Sequence, residues 1–192
     1  MAQILDRPSV PTRHRLDVDA YYRMAEVGLF PEPRRVELIE GDVIDMVPIG
    51  SQHAGRTNRL TRFFAEGAAD GSVSLTVQSP LRLDAWNEPQ PDLMLLRPRS
   101  DDYADRHPTA ADVLLLVEVS DSSLAYDRNT KLALYARFGV AEVWIVDIPG
   151  GAVEVYRTLK DGAYAPGERL TAGRLSPGLV PELAIDVAAL LA

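Results

Sequence analysis

"LLLVEVSDSSLAYDRNTKLALYARFG", residues 114–139, decides how this chain is read. With Val113 before it, the first part is apolar at nearly every position, the pattern of a strand in a sheet covered on both faces. The run carries one acid, Glu118, and a carboxylate buried there without a partner is costly. A metal ion, a lysine or arginine, backbone donors, or solvent at the strand end could each compensate it. Asp127 then reads as the N-cap, and Gly139 as the C′ residue, of a helix of about three turns. Lys131 lies three, four and seven residues before Leu134, Tyr135 and Phe138, so it shares the core-facing stripe. Its ammonium is on the unfavourable side of the helix macrodipole. Either its stem packs on the sheet with the head in water, or its charge points at Glu118.

Strand "EVWIVDI" follows, and residues 113–148 form a strand–helix–strand unit that should be a parallel crossover. Upstream, Asp17 can cap a short helix over "VDAYYRMAEVG", stopped by Gly28 and "FPEPRR". "RVELIEGDVIDMVP" reads as two strands about Glu40-Gly41-Asp42, a hairpin signal. Ser51 can cap a helix through "QHAGRTNRLTRFFAEGA", with His53, Thr57, Leu60 and Phe64 on one face. "SVSLTVQ" and "PLRL" alternate as strands, and "PDLMLLRP" gives a strand entered through Pro91-Asp92. Residues 97–111 are rich in breakers and read as a loop. Downstream, Gly150-Gly151 turns into strand "AVEVYR", and "AYAPGERLTAGRL" adds short edge strands. "VPELAIDVAALL" closes the chain as an apolar helix with Pro181 in its first turn. The pattern is α/β: a mixed sheet flanked by helices, in one domain over 17–192, after a loose N-terminal arm over 1–16.

Composition narrows the chemistry. The 192 residues suit one core. There is no cysteine, which removes disulfides, thiolate metal sites and a cysteine nucleophile. Three histidines make a histidine-rich zinc site a poor fit. No segment reaches the roughly 18 apolar residues of a membrane span, and the N-terminus lacks a signal peptide's apolar core, so a cytoplasmic location is expected. The net charge of −8 opposes simple nucleic-acid binding, although a local basic groove or a cation site can sit on an acidic body.

Asp92 repeats the placement of Glu118, at the mouth of a second apolar strand. Two adjacent strands that each present a carboxylate at one end offer hard oxygen ligands of the kind Mg²⁺ or Mn²⁺ takes. Glu37 lies on a strand with Val36 and Leu38 facing the other way; taken alone it reads as solvated more readily than as a ligand. His53 reads alone as a hydrogen-bonded core histidine. Arg56, Arg59 and Arg62 make a basic helix edge that could meet phosphates or simply face water. No Walker loop, no GxGxxG after a strand and no GxSxG elbow is present.

The ordered set "RVELIEGDVIDM", "SQHAGRTNRLTRFF", "PQPDLMLL" and "LLLVEVSDSSLAYDRNTKLALYARFGVAEVWIVD" resembles the Uma-type family, described as putative restriction endonucleases, of the PD-(D/E)XK nuclease superfamily. The resemblance covers about residues 17–157. It implies a restriction-endonuclease-like fold, with Asp92 and Glu118 as metal-binding acids and Glu37 completing the site. The superfamily usually places its lysine two residues after the second acid, where this chain has Ser120. The lysine would instead be Lys131, moved to the following helix. His53 and Gln78 would be accessory polar residues of the same cleft. The implied activity is hydrolysis of DNA phosphodiester bonds with Mg²⁺ (or Mn²⁺), and a homodimer could pair two clefts across a duplex. The alternative is an inactive nuclease-fold module that binds nucleic acid or a protein partner.

Overall fold

The computed structural model describes residues 12–30 and 35–192. Most of the expected N-terminal arm, and residues 31–34 of the segment after the first helix, lie outside these. Within the arm, Leu16 donates its N–H to the Gly41 carbonyl (2.9 Å) and Arg13 pairs with Asp42.

Helix α1 (Val18–Glu26) begins at Asp17, whose carboxylate accepts the Ala20 N–H at 2.7 Å. It packs Val18 and Tyr21 on Val36 and Leu38 of a hairpin, β1 (Val36–Ile39) and β2 (Asp42–Asp45). The turn needs two left-handed residues, and Glu40 (φ 53°) with Gly41 (φ 79°) supply them. The hairpin stands apart from the main sheet. It joins residues 86–88 through an antiparallel bridge between Leu38 and Glu88, the Gly41 N–H on the Trp86 carbonyl and the Glu40 N–H on Asn87 Oδ1.

Helix α2 (Ser51–Gly67) has Gly50, not Ser51, at its N-cap, with no side-chain cap. The main sheet follows: β3 (Ser74–Val77), β4 (Leu93–Leu96), β5 (Val113–Ser120), then β6 (Val143–Asp147) and β7 (Ala152–Tyr156). β5 and β6 are joined by a continuous helical stretch made of α3 (Leu124–Tyr126), a π-helical turn (Asp127–Lys131) and α4 (Leu132–Arg137). Short strands β8 (Leu159–Lys160), β9 (Ala163–Tyr164), β10 (Glu168–Leu170), β11 (Arg174–Leu175) and β12 (Ile185–Asp186) precede α5 (Val187–Leu191). The six-stranded order is β10-β7-β6-β5-β4-β3, with β5 and β6 parallel and every other pair antiparallel.

All eight residues of β5 are buried, because helices cover both faces. Leu115, Val117 and Val119 pack toward Leu60 and Phe64 of α2 and Val187 and Leu190 of α5. Leu116 packs on the other side with Tyr135, Val140 and Ile145. Glu118 and Ser120 share the face of Leu116, by the alternation of a strand.

Four further local expectations are corrected. Residues 80–83 are not a strand; the Leu81 and Arg82 N–H groups bond to the carbonyls of Pro89 and Pro108. The closing helix starts at Val187, capped by the Asp186 carboxylate, rather than near Pro181. The helix after β5 starts one turn before Asp127, so Asp127 is helical (φ −63°, ψ −43°) and not an N-cap. The basic edge of α2 is partly spent on α5: Arg56 and Arg59 donate to the carbonyls of Leu191 and Leu190 at 2.7 and 3.1 Å.

Candidate functional site

The register of β4 on β5, Leu93 opposite Val117, brings Asp92 beside Glu118 when continued by one residue. Asp92 is held there tightly. Its Oδ2 accepts the Val119 N–H (2.9 Å) and lies 3.0 Å from His53 Nε2. Its Oδ1 accepts Gln78 Nε2 at 3.3 Å, and the Gln78 N–H donates to the Asp92 carbonyl at 3.1 Å. Gln78 adopts φ 50° to do this. Its side chain thereby braces Asp92, a residue of the cleft lining.

The π-helical turn and α4 return Lys131 to Glu118. Lys131 is 4% exposed, so it does not reach water as a snorkelling lysine would. Its Nζ lies 3.2 Å from Glu118 Oε1 and 3.0 Å from Glu37 Oε2. Tyr135, one turn further along the same stripe, donates its hydroxyl to Glu118 Oε1 at 2.5 Å. Glu37, read alone as a solvated strand residue, is 2% exposed, because the hairpin folds its outward face onto this site. The Gln90 N–H also donates to its Oε2, at 3.2 Å. Ser120, at the position where the superfamily usually has lysine, donates to Asp127 Oδ2 at 2.7 Å, and Ser123 donates to the same oxygen at 2.6 Å.

Burial pushes the Glu118 carboxyl up to about 8, against the pull of Lys131 and with the further push of Asp127 and Asp92. Burial works against the Lys131 cation, yet Glu118, Glu37 and Asp127 raise it above its ordinary value, so it stays protonated. Several carboxylates therefore share one ammonium. The His53 imidazole is raised too: burial opposes its charge, but the Asp92 hydrogen bond and the charges of Asp92 and Asp127 prevail.

These groups form the floor of a cleft of about 410 Å³. The loop from β2 to α2 contributes Met46, Val47, Pro48 and Ile49 to its lining, and the other side brings Asp121, Ser122 and Tyr126. The Tyr126 hydroxyl is buried and makes no hydrogen bond. Sequence reading missed Tyr135, Asp127 and this loop. Tyr135 had a signal, four residues after Lys131 on one stripe; the loop had none.

A divalent ion can be tested against this donor set. The carboxylates of Asp92 and Glu118 are hard oxygen ligands from neighbouring strands, and Mg²⁺ is content with one or two such groups plus water and phosphate oxygens. Among the described residues, no three His, Asp or Glu side chains already surround one point. Lys131 supplies the positive charge between Glu37 and Glu118 instead. The fit is to an ion held by two acids and completed by solvent and substrate.

Comparison with known proteins gives two findings. The Uma2 family, described as "Putative restriction endonuclease", matches residues 18–188. A solved structure from Anabaena variabilis, entitled a "putative nuclease belonging to DUF820", superposes with a TM-score of 0.72 at 16% identity, covering 92% of this chain and 97% of its own. At that identity the likeness is one of fold. No curated protein matches the chain. Among the described residues, no helix is long and apolar enough to cross a membrane.

Proposed function

Because the chain belongs to the Uma2 family, we propose that it is a divalent-metal-dependent nuclease hydrolysing phosphodiester bonds of DNA in this cleft. The observation that carries the reading is the buried contact of one lysine with Glu37 and Glu118, with Asp92 in register beside Glu118. Such a cluster is expensive to bury, and apolar residues of similar volume would serve a purely structural core as well or better.

Asp92 and Glu118 would hold Mg²⁺ (or Mn²⁺), with Glu37 as the third acid of the site. When bound, the ion supplies Lewis acidity and an activated water at neutral pH. Lys131 keeps its proton and offers positive charge to the attacking oxygen and to the phosphate as charge develops there. Tyr135 fixes the Glu118 carboxylate, while His53, Gln78 and the Val119 N–H fix Asp92, so neither acid has to be oriented at the moment of reaction.

Purified protein incubated with plasmid and single-stranded DNA, in Mg²⁺, Mn²⁺ or EDTA, tests this. Cleavage that requires the metal and disappears in Asp92→Ala, Glu118→Ala and Lys131→Ala is the expected result. Cleavage that persists in all three variants assigns it to a contaminant and sinks the reading. The net charge of −8 favours the second reading, an inactive module of the same fold. Mn²⁺ binding, by calorimetry, that is equal in wild type and Asp92→Ala would support that module.

A further inference from the structure

The cleft is short of positive charge. Six carboxylates line it, from Glu37 and Asp45 on the hairpin to Asp121 and Asp127 after β5. Three side chains of the opposite sign share the lining: Lys131, His53 and Arg35. Lys131 is spent on Glu37 and Glu118, and His53 on Asp92. Arg35, half-buried, forms no ion pair with any described residue.

Arg35 is nevertheless held in place. Its carbonyl accepts the Met46 N–H at 2.9 Å, at the open end of the hairpin. Its Nη2 donates to Gln90 Oε1 at 3.2 Å. Gln90 is fixed in turn, its side-chain amide donating to the Val36 carbonyl at 3.0 Å and its N–H to Glu37 at 3.2 Å. A neutral amide thus orients the guanidinium and leaves its charge unanswered. An arginine presents five N–H donors in a planar fork that fits the paired oxygens of a carboxylate or a phosphate. This one has six carboxylates in its own cleft and takes none of them. Its charge opposes protonation of the His53 imidazole, so it stands on the side of the cleft where His53 meets Asp92.

We infer that Arg35 is a substrate-binding residue, whose guanidinium takes the non-bridging oxygens of a nucleic-acid phosphate beside Asp92. The inference rests on the nuclease reading of the same cleft and adds the cation that reading lacks. In an acidic cleft one unspent arginine decides whether a phosphate can enter, because the other two positive groups are already neutralised.

The test compares wild type, Arg35→Gln and Arg35→Lys on a fluorescein-labelled oligonucleotide of about 20 nucleotides, offered as single strand and as duplex. Ca²⁺ replaces Mg²⁺, and binding is read by anisotropy across a salt series. Arg35→Gln should lose about tenfold in affinity. Its slope of log K against log salt should fall by roughly 0.7 on the single strand and 0.9 on the duplex, the share of one phosphate. Arg35→Lys keeps the charge without the fork, so it should restore the slope and only part of the affinity. The Tm of both variants should match wild type, since Arg35 bonds only to an amide.

Unchanged affinity and slope in Arg35→Gln overturn the inference. A lower Tm with an unchanged slope makes Arg35 structural and overturns it too. Calorimetry with inorganic phosphate separates the sources of the anion. Phosphate bound by wild type but not by Arg35→Gln, with equal oligonucleotide affinity in both, would give Arg35 to a free phosphate and overturn the nucleic-acid contact. Loss of binding in Arg35→Gln, with no Mg²⁺-dependent cleavage by wild type, upholds the contact and removes the nuclease reading. A wild type that binds neither form removes both.

Discussion

Lys131 carries more of this molecule than any other side chain, and the chain marks it by rarity: it is one of two lysines among the 20 cationic residues. Removing it leaves Glu37 buried without its counter-charge and Glu118 without the Nζ donor, a loss of about 3–5 kcal/mol. Lys131→Met should therefore lower stability by that amount at pH 7 in urea unfolding. The wild type has its own pH dependence. Glu118 rises from its ordinary 4.5 to about 8 in the folded protein, so the folded state binds a proton that the unfolded state has released. That contribution is full below about pH 4.5 and is lost as the pH climbs toward 8. Urea midpoints should fall across this window in wild type, and Glu118→Gln should flatten the slope; an equal slope in the variant would place the proton elsewhere.

At the scale of elements, the helical stretch between β5 and β6 does the positioning. Its π-helical turn closes with the Leu132 N–H on the Asp127 carbonyl, one residue wider than an α-helical bond. The stretch ends at Gly139, φ 78°, whose N–H reaches the Ala136 carbonyl while the Val140 N–H reaches that of Tyr135. A Cβ there meets no neighbour, so Gly139→Ala costs only the left-handed backbone, about 1 kcal/mol. The denaturation midpoint should drop accordingly with cleavage intact, because Lys131 lies two turns away.

The sequence showed this unit well where periodicity governs. The unbroken apolar run foretold the buried strand, and the spacing to Leu134 and Tyr135 foretold that Lys131 points inward. It failed where a side chain chose a distant partner over its local habit. Asp127 has the propensity of a cap, yet it accepts the hydroxyls of Ser120 and Ser123. "PLRL" alternates like a strand, but its N–H groups bond to loop carbonyls rather than to a neighbouring strand. Glu37 looked solvated because no local pattern tells that the hairpin closes over the helix.

Taken whole, the molecule is acidic, with a net charge of −8, and its cleft repeats that sign. Whatever holds nucleic acid here is then only weakly ionic. The slope of log K against log salt for a single-stranded oligonucleotide should be shallow, equivalent to about two phosphates or fewer. A slope several times steeper would reveal a basic track elsewhere on the surface.

The placement of Glu37 has one more consequence. It belongs to the hairpin packed with α1, whereas Asp92, Glu118 and Lys131 belong to the main sheet and its crossover. The two parts meet along a seam that includes the Leu38–Glu88 bridge, the Val18, Gly41 and Glu40 N–H groups on Ala85, Trp86 and Asn87, Tyr22 on Glu88 and His107, Gln90, the exposed Arg137–Glu40 pair and the Lys131–Glu37 contact. Such a seam opens and closes as one cooperative unit. Were that seam broken, the third acid would leave and the lysine would be bared with the six strands still folded, so competence would be lost before structure.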